Sequence, residues 1–192
     1  TRIAPFNEPI GETMVDGQTL AEVQMEALQA AGCTVVDSPP EGESYLLYSD
    51  RTWFTAEAIR RLVASGLGQF RASDDVWFGW SGAQQKTVAP GVYELAVVQG
   101  APNFDACEPV DIDMSLHDMD LNVRHKAFQH AVDTLVRVGP AMVHQMDHWV
   151  HIVRVNQLVL IARAEDARWE WASSGFWGRL RMILRLLWQV RS

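Results

Sequence analysis

His144, His148 and His151 stand four and then three residues apart in the stretch VHQMDHWVHIVRVN, with Asp147 among them. Imidazoles one helical turn apart can share a metal ion, relay protons or line a polar groove. Laid on a helix over 142–161 at about 100° per residue, Met142, Met146, Trp149, Val150, Val153 and Leu160 form an apolar arc. The histidines then share a narrow stripe on the opposite side, where Asp147 can accept from His151 one turn later.

A straight helix separates the outer two histidines by about 10 Å along its axis, so a tetrahedral ion would need a ligand from elsewhere. His117, Asp118 and Asp120 in SLHDMDLN are the candidates. The stripe therefore reads as a hydrogen-bonded helix face or the wall of a groove, with metal binding as an alternative. The β-branched run HIVRV leaves a strand open as well, which would set His151, Val153 and Val155 on one side.

Other chemistries are poorly served. The acids of DIDMSLHDMDLN lack the glycine and the terminal glutamate of a calcium loop. No G-x-S-x-G motif is present, Cys33 follows a helix stop, and Cys107 lies among acids that oppose a thiolate. The two cysteines imply no disulfide framework and point to a reducing, cytoplasmic setting.

With 192 residues, 48% hydrophobic and 21% charged, the chain can bury a substantial core and does not have a disordered composition. A formal charge of −8 disfavours broad nucleic-acid binding, which depends on cations neutralising phosphates. No apolar run has the length of a membrane span or the form of a signal segment.

The residues before 17 read mostly as loop. QTLAEVQMEALQAAGC predicts a helix with Thr19 and Glu22 as a capping box, Leu20, Val23, Ala27 and Leu28 on one face, and Gly32 as the stop. CTVV (33–36) predicts a short buried strand, and YLLYSD (45–50) a second strand ending in an acid. TAEAIRRLVASG (55–66) predicts a helix capped by Thr55, with Ile59, Leu62 and Val63 as its apolar stripe. Strand texture follows in VWFGW (76–80), GVYELAVVQG (91–100) and PVDIDM (109–114), with the polar SGAQQKT (81–87) as a connection. Helical patterns take over after about residue 122.

The segment from 179 to 192 carries Arg179, Arg181, Arg185 and Arg191 and no acid, interleaved with leucines and Trp188. Such a basic amphipathic helix can pack on its own domain, dock on a partner or a second copy of the chain, or lie on an anionic surface. Arg179, Arg181, Arg185 and Trp188 are the candidate partner-binding residues.

DGQTLAEVQMEALQAAGCTVV, followed by YLLYSDRTWFTAEAIRRLVASG, resembles the sugar-1-phosphate nucleotidyltransferase superfamily over residues 16–66. The resemblance implies that Asp50 matches the metal-binding aspartate, that Mg²⁺ is the cofactor, and that a nucleotide or sugar phosphate is the ligand. Where the family carries a Gly-rich run with an arginine and a Pro-Lys pair, this chain has APFNEPIGETMVDG. Glu8, Glu12 and Asp16 there would repel the phosphates such a loop cradles.

The expectation is an α/β or α+β chain: a sheet-bearing part over 1–121, with a small mixed sheet flanked by helices, and a helical extension over 122–192. The favoured function is a nucleotidyltransferase-like module of sugar-nucleotide metabolism, catalytically degenerate or part of a larger enzyme. The alternatives are a non-enzymatic assembly module using the basic C-terminal helix and a metal-dependent enzyme using the histidines.

Overall fold

The computed structural model describes residues 2–3, 8–36, 38–73, 89, 91–114 and 140–175, with 164–173 described by backbone alone. The expected strand at 76–80, the connection at 81–87, the acidic turn at 115–122, the first helix after 122 and the basic segment 179–192 lie outside these residues. Short strands β1 (Arg2–Ile3) and β2 (Glu8–Pro9) pair first. A 3-10 turn (Ile10–Glu12) then leads into β3 (Met14–Val15) and β4 (Gln18–Thr19), which form a hairpin. Asp16 and Gly17 at its tip have φ of 55° and 82°, the two positive values that match the twist of paired strands. The segment expected to be loop is thus a folded cap.

The first helix, α1 (Leu20–Ala30), forms as predicted. The Thr19 hydroxyl accepts from the N–H of Glu22, and the Glu22 carboxylate accepts from the N–H of Thr19 at 2.8 Å. Its buried face is Leu20, Gln24 and Leu28. The CTVV strand does not form: 33–36 is irregular, and Val35 is 53% exposed. Apolar character alone does not make a strand where no neighbour supplies a ladder.

A four-stranded sheet has the order β5-β8-β7-β9, from β5 (Ser44–Tyr48), β8 (Val92–Gln99), β7 (Gly68–Ala72) and β9 (Pro109–Ile112). β8 runs antiparallel to both neighbours, while β7 and β9 are parallel. The second helix, α2 (Ala56–Ser65), lies against β7, β8 and β9 with Ala58, Ile59 and Leu62 buried. Val63, expected in that stripe, is exposed, because the covered arc of this helix is narrower than its apolar arc.

The histidine region departs most from the sequence reading. Val143–Gln145 is not helical; it forms β10, antiparallel to β6 (Thr52–Phe54). Every residue from Ala141 to Asp147 is buried, which a one-sided helix could not achieve. The helix, α3 (Trp149–Ser173), starts only after His148. Its core stripe is His151, Val155 and Leu158, whereas Trp149, Val153 and Leu160 are exposed, Leu160 at 62%. The projection from residue 142 had the wrong phase because seven residues before the helix do not turn with it.

One core joins Val15, Leu20, Phe54, Ile59, Tyr93 and Leu95 to Val143, Met146, Val155 and Leu158. Among the described residues, those from 141 to 162 therefore add the strand β10 and core side chains to the sheet-bearing part. The architecture is α+β, with mixed sheets and three α-helices among the described residues. None of these helices is long and apolar enough to cross a membrane.

Candidate functional site

The polar centre is built where β5, β6, β8 and β10 meet. β5 ends at Tyr48, and Ser49, Asp50 and Arg51 turn the chain into β6, closed by the Thr52 N–H donating to the Ser49 carbonyl. Gln24 of α1, itself buried, donates its amide to the carbonyls of Thr52 at 2.8 Å and Ser49 at 3.2 Å. A buried amide is stable only when satisfied, so Gln24 ties α1 to this turn.

Arg51 projects from the turn as a bridge. Its Nε donates to Glu94 Oε2 at 2.8 Å, Nη2 pairs with Glu94 Oε1, and Nη1 donates to Asp147 Oδ1 at 2.9 Å. The Gln145 side-chain amide donates to Glu94 Oε2 at 3.0 Å, and its Oε1 accepts from the Thr52 hydroxyl at 3.1 Å. The Met146 N–H donates to the Arg51 carbonyl at 2.7 Å. One arginine thus joins the 49–51 turn, the central strand and the segment before α3.

The electrostatics follow. Hydrogen bonding to Glu94 raises the Arg51 guanidinium against the opposing cost of burial, and the charges of Glu94, Asp147 and Asp50 add to the rise. Burial pushes the Glu94 carboxyl up, but hydrogen bonds from Arg51 and Ser49 outweigh it and hold the group below its ordinary value. Asp50 is exposed on the turn, with the Ser49 hydroxyl 3.4 Å away.

The described residues do not fit the Mg²⁺–nucleotide centre that the resemblance implies at Asp50. The Glu94 and Asp147 oxygens facing this turn are engaged by Arg51, which is thereby neutralised toward a triphosphate.

The histidines do structural work. His148 immediately precedes α3 and accepts from the Val150 N–H through Nδ1 at 3.3 Å, the part usually taken by Ser or Asp. His151, in the first turn, reaches back and accepts with Nδ1 from the N–H groups of His148 at 3.1 Å and Asp147 at 2.9 Å. The spacing of three is that of a capping box, made here from two imidazoles. His144, on β10, is fully buried with its ring 5.0 Å from that of His151, and its Nδ1 lies 2.9 Å from the Gln145 carbonyl. Among the described residues no group of three His, Cys, Asp or Glu side chains is placed to hold a metal ion.

Two features escaped the sequence reading. Glu94 sits inside an apolar strand and carries no motif; an acid amid a core strand was its only signal. A groove of about 400 Å³ also opens along the outer edge of β5, lined by Leu28, Cys33, Val35, Pro39, Leu46 and Tyr48 among others. Burial raises the thiol pKa of both Cys33 and Cys107, so neither is an activated nucleophile.

No family model, curated protein or solved structure matches this chain. The partner-binding candidates Arg179, Arg181, Arg185 and Trp188 lie outside the described residues.

Proposed function

We propose that this chain is a nucleotidyltransferase-like α+β module whose transfer chemistry has lapsed, serving binding or assembly within a larger or oligomeric enzyme of sugar-nucleotide metabolism. One observation carries the reading: Arg51, beside the aspartate that resembles the family's metal ligand, is closed off by Glu94 and Asp147. Phosphoryl transfer is catalysed by positioning and by cations that meet the developing charge. A site whose cation is spent internally is built for rigidity. The basic segment with Arg179, Arg181, Arg185 and Trp188 is then the assembly element, with a second copy or a larger subunit as its partner.

Pyrophosphate release from each of the four nucleoside triphosphates, with Mg²⁺ and a panel of sugar 1-phosphates, tests the lapse. The expected result is no release above background, from the chain itself and from its Asp50→Ala variant alike. Turnover that disappears in Asp50→Ala would establish an active transferase instead. Sedimentation of the full chain beside a variant ending at residue 175 tests the assembly element, with a fall in the number of chains per particle expected. The same number of chains per particle, with the variant still folded, would remove it.

A further inference from the structure

Trp53 and His144 are direct cross-strand partners in the β6–β10 pair. Residues so paired project to the same face of a ladder, with their Cβ atoms about 5 Å apart. Both are buried, at 3% and 0% exposure. Among the described residues, the indole Nε1 of Trp53 and the Nε2 of His144 each lack a hydrogen-bond partner.

The chemistry of the two atoms is complementary. An indole nitrogen can only donate. His144 has Nδ1 against the Gln145 carbonyl, and a carbonyl can only accept, so Nδ1 carries the ring proton and Nε2 presents a bare lone pair. Burial first, and then the neighbouring His151 and Arg154, hold the ring neutral with a pKa pushed down to about 3. A donor and an acceptor are therefore both buried on one face of the β6–β10 pair, and neither meets the other.

We propose that Trp53 and His144 form an internal site for one water molecule, which accepts from the indole N–H and donates to His144 Nε2. The required group is an O–H, the one small unit that accepts from nitrogen on one side and donates to nitrogen on the other. Water is the source we commit to, because it is the smallest molecule that carries this O–H and both side chains are buried. Buried polar groups without a protein partner are the places where folded chains hold ordered water, and the pair here is polar on both sides. The inference is independent of the nucleotidyltransferase reading. Its consequence is that a hydrated bridge adds a side-chain link to the β6–β10 ladder.

The test uses the ¹⁵N-labelled full chain, unfolded and refolded in buffer free of alcohols and polyols so that any carried small molecule is removed. A rotating-frame Overhauser signal from the Trp53 indole proton to the water resonance is expected. So is a His144 Nε2 shift characteristic of an accepted hydrogen bond, which returns to that of a bare lone pair in Trp53→Phe. A scalar coupling between Trp53 Nε1 and His144 Nε2 would show a direct bond and overturn the site. Absence of both the Overhauser signal and the coupling would also overturn it. A bonded Nε2 shift that vanishes on refolding and returns only with cell extract would identify a small alcohol as occupant and overturn the assignment to water.

Discussion

His151 Nδ1 accepts the backbone N–H of His148 at 3.1 Å, while His148 Nδ1 accepts that of Val150, so the two histidines cap the helix they introduce. The arrangement explains why the spacing of three matters. The first N–H groups of a helix have no intrahelical partner, and each needs an acceptor. His151 also holds the N–H of Asp147, which keeps the Asp147 carboxylate turned to Arg51.

Replacing His151 by alanine removes this acceptor from two N–H groups and leaves a hole in a fully buried position. A loss of about 2–3 kcal/mol is expected, the sum of a cap and an unsatisfied buried group. His148→Ala, partly exposed, should lose about 0.5–1 kcal/mol. Urea unfolding of both variants decides the point, and equal losses would contradict the capping role.

Arg51→Met leaves Glu94 and the 1% exposed Asp147 side chain without their shared cation. Breaking a buried pair costs about 3–5 kcal/mol, reduced here to about 2–3 because a quarter of the Arg51 side chain meets solvent. A double-mutant cycle with Asp147→Asn, read by denaturant midpoint, should show coupling above about 0.5 kcal/mol. Simple additivity would mean that the ion pair contributes nothing.

Acid should destabilise the fold well above the range of ordinary carboxylates. His144 has a folded pKa pushed down to about 3 from 6.5, so below pH 6.5 the unfolded chain takes up a proton that the folded chain refuses. Stability is thus full above that value and falls as pH drops toward 3. At pH 5 the loss is about 2 kcal/mol at 1.36 kcal/mol per pH unit. Glu94, held below its ordinary value, adds a loss of the same sign at lower pH. Unfolding free energies at pH 7 and pH 5 measure the first effect, and a His144→Phe variant that remains folded should show a flatter slope between them.

Gly68 opens β7 against the segment that leads into β9. A Cβ there would lie 2.2 Å from Val110 Cγ2 and 2.9 Å from the Glu108 carbonyl oxygen, at a φ of 148°. Gly68→Ala should cost about 2–3 kcal/mol through overpacking and strain. A thermal midpoint within about 2 °C of the parent would mean that the β7–β9 edge yields without cost.

Local instructions were legible in the chain. Thr19 with Glu22, Thr55, Gly32 and Gly66 mark α1 and α2 because capping depends on groups within four residues of each other. The strands β8 and β9 announced themselves by β-branched and aromatic content between turn residues. The periodicity that placed His144, His148 and His151 on one helix was misleading. A buried strand and the first turns of a helix can carry the same apolar residues, and only β6, ninety residues earlier in the chain, selects the strand.

The sequence by itself determined the helices α1 and α2, the α+β texture and the polar types that could do chemistry, since these follow from neighbours along the chain. Tertiary structure alone decided that Arg51, Glu94 and Asp147 meet, and that His151 faces the core. It also set Trp53 opposite His144. Those pairings join residues about 40 to 95 positions apart, and their partners are fixed by how strands pair and bury their faces rather than by any local pattern.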